Sequence, residues 1–276
     1  MPRFEVLVPA APPALPRDLT LRIEADDWLA ALKAGLERIA APRLTPNLLC
    51  DVRADGSIHV TDPRGGGVFR IREHPPAPAA PAARPAPPPA AAAPPGAPAP
   101  ARIGRAPLRR RADDVLAELF ERVAGLDAGT DRRSGLGFLL DLAMEKIDCE
   151  AGSVLLARLG GRELEFAVAR GPRAGEISRL GLTVPIGTGI AGFCAKENVA
   201  LAVSDAEQDP RFHRAVSQAI GYATRSLLCA PMAKQGSVLG ALEVVNKRGG
   251  RPFDEGDLAV LSYLAHQAAE LVARGA

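Results

Sequence analysis

The sequence predicts an α+β protein in two globular parts, and three observations carry that reading. Over residues 112–276, short β-rich runs alternate with helical pieces opened by Gly or Pro. Residues 1–74 hold a smaller set of alternating runs around one helical stretch. Between them, residues 75–100 contain 12 of the chain's 26 prolines, mixed with alanine and almost no charge. Such a segment neither buries a core nor sustains helix hydrogen bonds, so 75–111 is expected to be a disordered, extended linker, spanning up to about 80 Å at ~3.1 Å per residue.

Composition sets broad limits. A chain of 276 residues with 47% hydrophobic content and a net charge of +2 reads as globular and soluble, long enough for one sizeable domain and a smaller one. Bulk charge points to no partner, and neither nucleic acid nor a membrane is expected. Asp and Glu number 10 in residues 1–73, none in 74–111 and 22 in 112–276, against 10, 6 and 18 Lys plus Arg. The four cysteines, Cys50, Cys149, Cys194 and Cys229, form no C-x-x-C pair or His/Cys cluster, so they read as core thiols and no metal is expected. No apolar run approaches membrane-helix length, and the opening residues lack a signal peptide's basic start. A reducing, cytoplasmic setting fits.

In chain order, Phe4 to Val8 and Leu19 to Ile23 alternate like strands. Asp26 or Asp27 can cap a helix whose Trp28, Leu29, Leu32, Leu36 and Ile39 recur at helical spacing. Leu48 to Val52 and Ser57 to Thr61 flank the hairpin signal Ala54-Asp55-Gly56, and Gly65 to Gly67 lead into a strand over Val68 to Arg72. His59 sits in an alternating strand and reads as a surface or packed residue. This unit is expected to be an interaction module folding independently, with a partner protein reached through it or through the linker. The linker ends in Arg102, Arg105 and Arg109 to Arg111, which without interleaved aromatics suit an acidic protein surface at least as well as nucleic acid.

The second part begins with a helix carrying Val115, Leu116, Leu119, Phe120 and Val123 on one side, then a helix over Ser134 to Ile147. Strands follow at Ser153 to Arg158 and Glu163 to Arg170, joined by Leu159-Gly-Gly-Arg162. Further strands are expected at Leu182 to Ile186, Val199 to Val203, Ser226 to Met232 and Val238 to Asn246. A last amphipathic helix runs from Leu258 to Val272. Taken from the residues alone, this is a mixed sheet with small helices over one face.

The order of motifs adds a family. Gly189-Ile-Ala-Gly192, Asp209-Pro-Arg-Phe212, Cys229-Ala-Pro231 before a hairpin, Asn246-Lys247, and Phe253 with Asp257 four residues later together resemble a GAF domain. The nearest likenesses are the GAF domains of cyclic-nucleotide phosphodiesterases and some bacterial adenylyl cyclases. The resemblance implies an antiparallel sheet with helices on both faces, the first and last helices lying together and commonly pairing two protomers as a homodimer. It implies a small-molecule pocket lined by the glycine turn. Ile190 and Ala191 match backbone contacts, Thr224 a hydroxyl contact and Glu243 a contacting acid. His213, Ser217 and Ile220 replace the aromatic, acid and hydroxyl of the look-alikes. Lys247 and Asp257 match a salt bridge at the pocket edge, while Leu258 stands where the look-alikes carry Glu.

Two readings compete at the glycine turn. Gly187-Thr-Gly189-Ile-Ala-Gly192 is literally G-x-G-x-x-G after a strand, with Asp205 near the place of a ribose-binding acid. The helix up to Asn198 is too short for the usual βαβ crossover, so the glycines are read as letting a short helix begin close to a ligand.

For function, the sequence favours a non-catalytic sensory module that binds a small molecule, requires no cofactor and dimerises. Its ligand is expected to be small and planar or anionic, nucleotide-like among the options. The alternatives are a dimeric scaffold with a degenerate pocket, a cyclic-nucleotide-binding regulator, and a free methionine sulfoxide reductase. The last needs pocket cysteines; Ala191 occupies the turn, and Cys194 lies three residues on.

Overall fold

The computed structural model describes all residues except 12–14, 42–43, 54, 64–66, 75–111, 127–128, 159, 275–276 and the side chains of 112–114. The expected linker and its arginines, and parts of both glycine hairpins near 54 and 65, therefore lie outside the described residues.

The first unit comprises β1 (Arg3–Val8), β2 (Leu19–Glu24), α1 (Trp28–Arg38), β3 (Asn47–Val52), β4 (Ile58–Thr61) and β5 (Val68–His74). Of the two candidate caps for α1 it is Asp27 that acts, its carboxylate accepting from Leu29 N and Ala30 N at 2.9 Å each. The helix stripe Trp28, Leu29, Leu32 and Leu36 is buried as its spacing requires.

The second unit comprises α2 (Ala112–Ala124), α3 (Arg132–Ile147), β6 (Cys149–Ala157), β7 (Glu163–Arg170), α4 (Ala174–Leu180), β8 (Thr183–Pro185), α5 (Gly189–Glu197), β9 (Ala200–Val203), α6 (Arg214–Ile220), β10 (Leu227–Lys234), β11 (Ser237–Lys247) and α7 (Glu255–Arg274). Helix α4 was not expected from the sequence. It buries none of its residues, so no apolar stripe marks it. Helix α7 begins at Glu255 because Asp254 and Asp257 exchange bonds, Asp254 N to Asp257 Oδ2 at 2.8 Å and Asp257 N to Asp254 Oδ1 at 3.1 Å. This reciprocal pair satisfies two otherwise orphaned N–H groups at the helix start.

Among the described residues, eleven strands form one sheet in the order β2-β1-β5-β4-β3-β9-β10-β11-β6-β7-β8. Every pairing is antiparallel except β3 with β9, which run parallel from Asn47 opposite Ala200 to Cys50 opposite Val203. Helices α2, α3 and α7 pack an apolar core on one face, around Leu119, Leu139, Leu140, Leu261 and Leu264. On the other face, α1 and α5 pack a second core that runs from Val6 and Leu32 to Leu201 and Cys229. Strand β11, between β10 and β6, is covered on both sides, so its run from Gly240 to Asn246 is buried without alternation.

The expectation that no core runs between the two units differs from this arrangement. Strand β9 has β10 on one side, and its other edge would present unpaired backbone groups; β3 covers that edge, with Ala200 N donating to Pro46 O at 2.7 Å. The two units share one core, and Ser262 Oγ on α7 reaches Asn47 Oδ1 at 3.1 Å. A proline-rich connection forbids a core within itself; it does not forbid docking of what it connects.

Among the described residues, no helix is long and apolar enough to cross a membrane.

Candidate functional site

A cavity of about 100 Å³ lies on the α5 face of the sheet, over β6 and β11, between the first turn of α5, helix α6 and helix α4. Its floor comes from two strands in register. Glu243 on β11 stands opposite Ser153 on β6, and the Ser153 hydroxyl donates to Glu243 Oε1 at 2.5 Å. Burial pushes the Glu243 carboxyl above its ordinary range, and the Ser153 bond offsets only part of that. Thr224 is 8% exposed and lines the cavity. Phe166, Val184, Phe212 and Ile220 supply apolar walls, and Arg170 and Arg173 stand at the rim. Both arginines are already engaged, Arg170 with Asp141 at 2.7 Å and Arg173 with Glu176 at 3.1 Å.

One wall is the start of α5. Thr188 occupies the N-cap position but makes no side-chain cap bond, so the first-turn N–H groups are left for another acceptor. The glycines explain the close fit. Gly189 has φ of +67°, and a Cβ at Gly192 would lie 2.3 Å from Pro185 O, so only glycine lets the helix sit this tightly on β8. The dinucleotide alternative is excluded by topology: β8 is the sheet's edge beside β7, while β9 lies between β3 and β10, so α5 does not cross between neighbouring parallel strands.

All six residues singled out as ligand contacts line this cavity: Ile190, Ala191, His213, Ser217, Thr224 and Glu243. They do so unequally. Ile190, Ala191, Thr224 and Glu243 are buried, whereas His213 is exposed at the mouth. The Ser217 hydroxyl donates to Arg214 O at 2.9 Å within its own helix.

The pair Lys247 and Asp257 forms an ion pair, with side chains 8% and 11% exposed, but neither residue lines the cavity. The pocket-edge placement is thus corrected, and Asn246 is the reason. Its φ of 58° breaks the alternation of β11, so Lys247 does not continue the cavity side of Glu243 and Val245 but lies opposite Cys149, which is packed in the α3–α7 core. Lys247 fastens the end of β11 to the start of α7.

Asn246 itself carries the cavity's lip. Its Oδ1 accepts from Arg225 N at 2.7 Å, and its Nδ2 donates to Ala223 O at 2.9 Å and to Glu150 Oε2 at 3.0 Å. Glu150 also accepts from the hydroxyl of Tyr222, a cavity-lining residue, at 2.9 Å and from Arg225 at 2.6 Å. Burial raises the Glu150 carboxyl, but these bonds outweigh it and leave the group below its ordinary range.

Ser153, Tyr222 and the rim arginines were not singled out from the sequence. The one available signal was the register of β6 against β11, which puts Ser153 across from Glu243. All four cysteines are buried and unpaired by disulfides. A hydrogen bond with Cys194, followed by burial, pushes the Cys229 thiol well above its ordinary range. Among the described residues, no group of three or more His, Cys, Asp or Glu could hold a metal ion.

Comparison with known proteins places this site in a family. The family model described as "GAF domain" matches residues 137–272. The C-terminal part of the chain therefore belongs to the GAF domain family, small-molecule-binding sensory domains of signalling proteins. Among curated proteins, it is 42% identical over 77 residues to the dual 3',5'-cyclic-AMP and -GMP phosphodiesterase 11 of Drosophila melanogaster, covering 28% of this chain and 5% of that protein. It is 30% identical over 129 residues to the dual 3',5'-cyclic-AMP and -GMP phosphodiesterase 11A of Takifugu rubripes, covering 46% and 12%. The chain thus spans only a small part of the length of these relatives. Among solved structures, the GAF domain of a phosphoenolpyruvate-protein phosphotransferase from Coxiella burnetii shares the fold, with a TM-score of 0.50 at 19% identity, covering 59% of this chain and 92% of that one.

Proposed function

We propose that the chain is a non-catalytic regulatory protein of the cytoplasm, whose GAF domain binds a small molecule in the cavity and pairs with a second copy through α2 and α7. The observation that carries the reading is the convergence, in one apolar-walled cavity, of an uncapped helix start, the hydroxyl-bearing Thr224 and a buried carboxyl. N–H donors suit an anionic or carbonyl group, while Thr224 and Glu243 suit an amine or ring N–H. At about 100 Å³ the cavity is below the ~300–1,000 Å³ usual for ligand pockets, which favours a compact ligand or an opening of the Tyr222 lip. The small volume also keeps the scaffold reading, with a degenerate pocket, as the second choice.

Binding rather than catalysis is supported by the chemistry of the thiols. Cys194 and Cys229 are fully buried, and a Cys229 thiol held protonated is a poor nucleophile. Dimerisation is supported by Phe120, 57% exposed on α2 and tilted at 54° against the half-buried Tyr263 of α7, ring centroids 4.6 Å apart. Light scattering of the full chain at micromolar concentration tests it, and a strictly monomeric protein contradicts it.

Titration calorimetry of the full chain tests the pocket. Cyclic AMP and cyclic GMP are the first probes, because the relatives are named for those nucleotides, followed by small amino- and carboxylate-bearing compounds. The reading expects Thr224→Ala and Glu243→Ala each to weaken the bound probe by about 5-fold to 150-fold, the loss of a buried hydrogen bond. Binding that neither substitution alters would put the site elsewhere.

A further inference from the structure

We propose that the N-terminal unit is the read-out of the cavity: what fills the cavity alters how residues 1–74 dock on the GAF domain, and the docking alters the cavity in return. The inference rests on the cavity being a binding site and concerns how its state leaves it.

Two segments touch both places. Helix α5 lines the cavity with Ile190 and Ala191 in its first turn. One turn on, Phe193 stacks on Trp28 of α1 with ring centroids 6.0 Å apart and planes 21° apart. At the end of the helix, Glu197 accepts from Lys33 of α1 at 2.9 Å. The second segment is the turn from Asp209 to His213. Phe212 and His213 line the cavity, and the neighbouring Arg211 lies over both Trp28, at 5.0 Å, and Phe193, at 5.1 Å. The two segments are also packed on each other at the cavity: a Cβ on Gly189 would sit 3.1 Å from His213 Cβ. Both segments end on Trp28. Strand β9, which follows α5, then carries the parallel pairing with β3.

The junction is buried and built on a charged side chain. Arg211 is held by Asp209, with its Nε at 2.8 Å from Oδ1, and among the described residues its Nη1 and Trp28 Nε1 are buried without an acceptor. Arg211 also lies beside the Cys50 thiol of β3, so the turn that lines the cavity meets both α1 and β3 at this contact. A ligand contacting the α5 start and the 212–213 wall thus touches the segments that carry the docking, which is where coupling requires its contacts to differ.

The test needs no identified ligand. In the full chain, Val216→Phe, with Ser217→Leu as a second variant, fills the cavity from α6, and Lys33→Glu sets a like charge against Glu197 at the docking surface. Emission of Trp28, the single tryptophan, and amide hydrogen exchange are then read. The proposal expects the filling variants to shift Trp28 emission and to change exchange over 47–52 by about 5-fold or more. It expects Lys33→Glu to change exchange at 189–192 and 212–213 by a similar factor, with α3 unchanged. Filling variants that alter exchange over 189–197 while Trp28 and 47–52 stay as in the parent overturn it. If neither filling variant folds, Lys33→Glu decides alone: unchanged exchange at 189–192 overturns it. Failure of the binding reading looks different, since calorimetry would then find no ligand while the reciprocal exchange response persists.

Discussion

Glu243 is a buried acid that the fold tolerates at a cost depending on pH. Its carboxyl is raised above 4.5 by burial. At a pH below that value it is protonated in both folded and unfolded chains and contributes nothing. As pH rises past 4.5 the unfolded chain releases the proton and the folded chain does not, so the group increasingly destabilises the fold, up to its own raised value. Glu243→Gln is therefore expected to be at least as stable as the parent at pH 7, with the difference vanishing near pH 4; urea midpoints across pH measure it. A Gln variant that is less stable at pH 7 would show that the carboxylate is held by something other than Ser153. Residues of this kind were legible where a motif places them: Ile190 and Ala191 in the glycine turn, and Glu243 three residues before Asn246. Ser153 was not, because its partner lies 90 residues away and nothing local marks it. Nor was the side of the sheet that Lys247 occupies, since it follows from the positive φ of Asn246.

At the scale of elements, the start of α7 shows two functions placed on one side chain. Asp257 closes the reciprocal cap with Asp254 and pairs with Lys247. Asp257→Ala removes both and leaves a nearly buried ammonium with only the more exposed Asp254 beside it, at 3.5 Å. The expected loss is about 3 kcal/mol or more, against about 1 kcal/mol for Asn substituted at Asp254, where capping by an amide oxygen is retained. Chemical denaturation of both variants checks the order, and equal losses would mean that the ion pair contributes nothing. Most elements were legible because alternation or a helical stripe reports a buried face. Helix α4 carries no such stripe. The parallel pairing of β3 with β9 joins segments some 150 residues apart and leaves no mark in either one.

At the scale of the whole molecule, the continuous sheet changes what cutting the chain should do. With a protease site inserted between residues 75 and 111, the two pieces are expected to stay together through gel filtration, held by β3 on β9 and by Trp28 on Phe193. Trp28→Ala, deleting a side chain 3% exposed, is expected to cost about 3–5 kcal/mol and to let the cut pieces separate. Parent pieces that part without the substitution would restore the picture of two independent units. The central claim, that the GAF cavity holds a small molecule, is tested most directly by native mass spectrometry of the purified full chain beside its Thr224→Ala and Glu243→Ala variants. The account predicts a retained small-molecule adduct on the parent that both substitutions diminish; an adduct kept equally by all three proteins would contradict it.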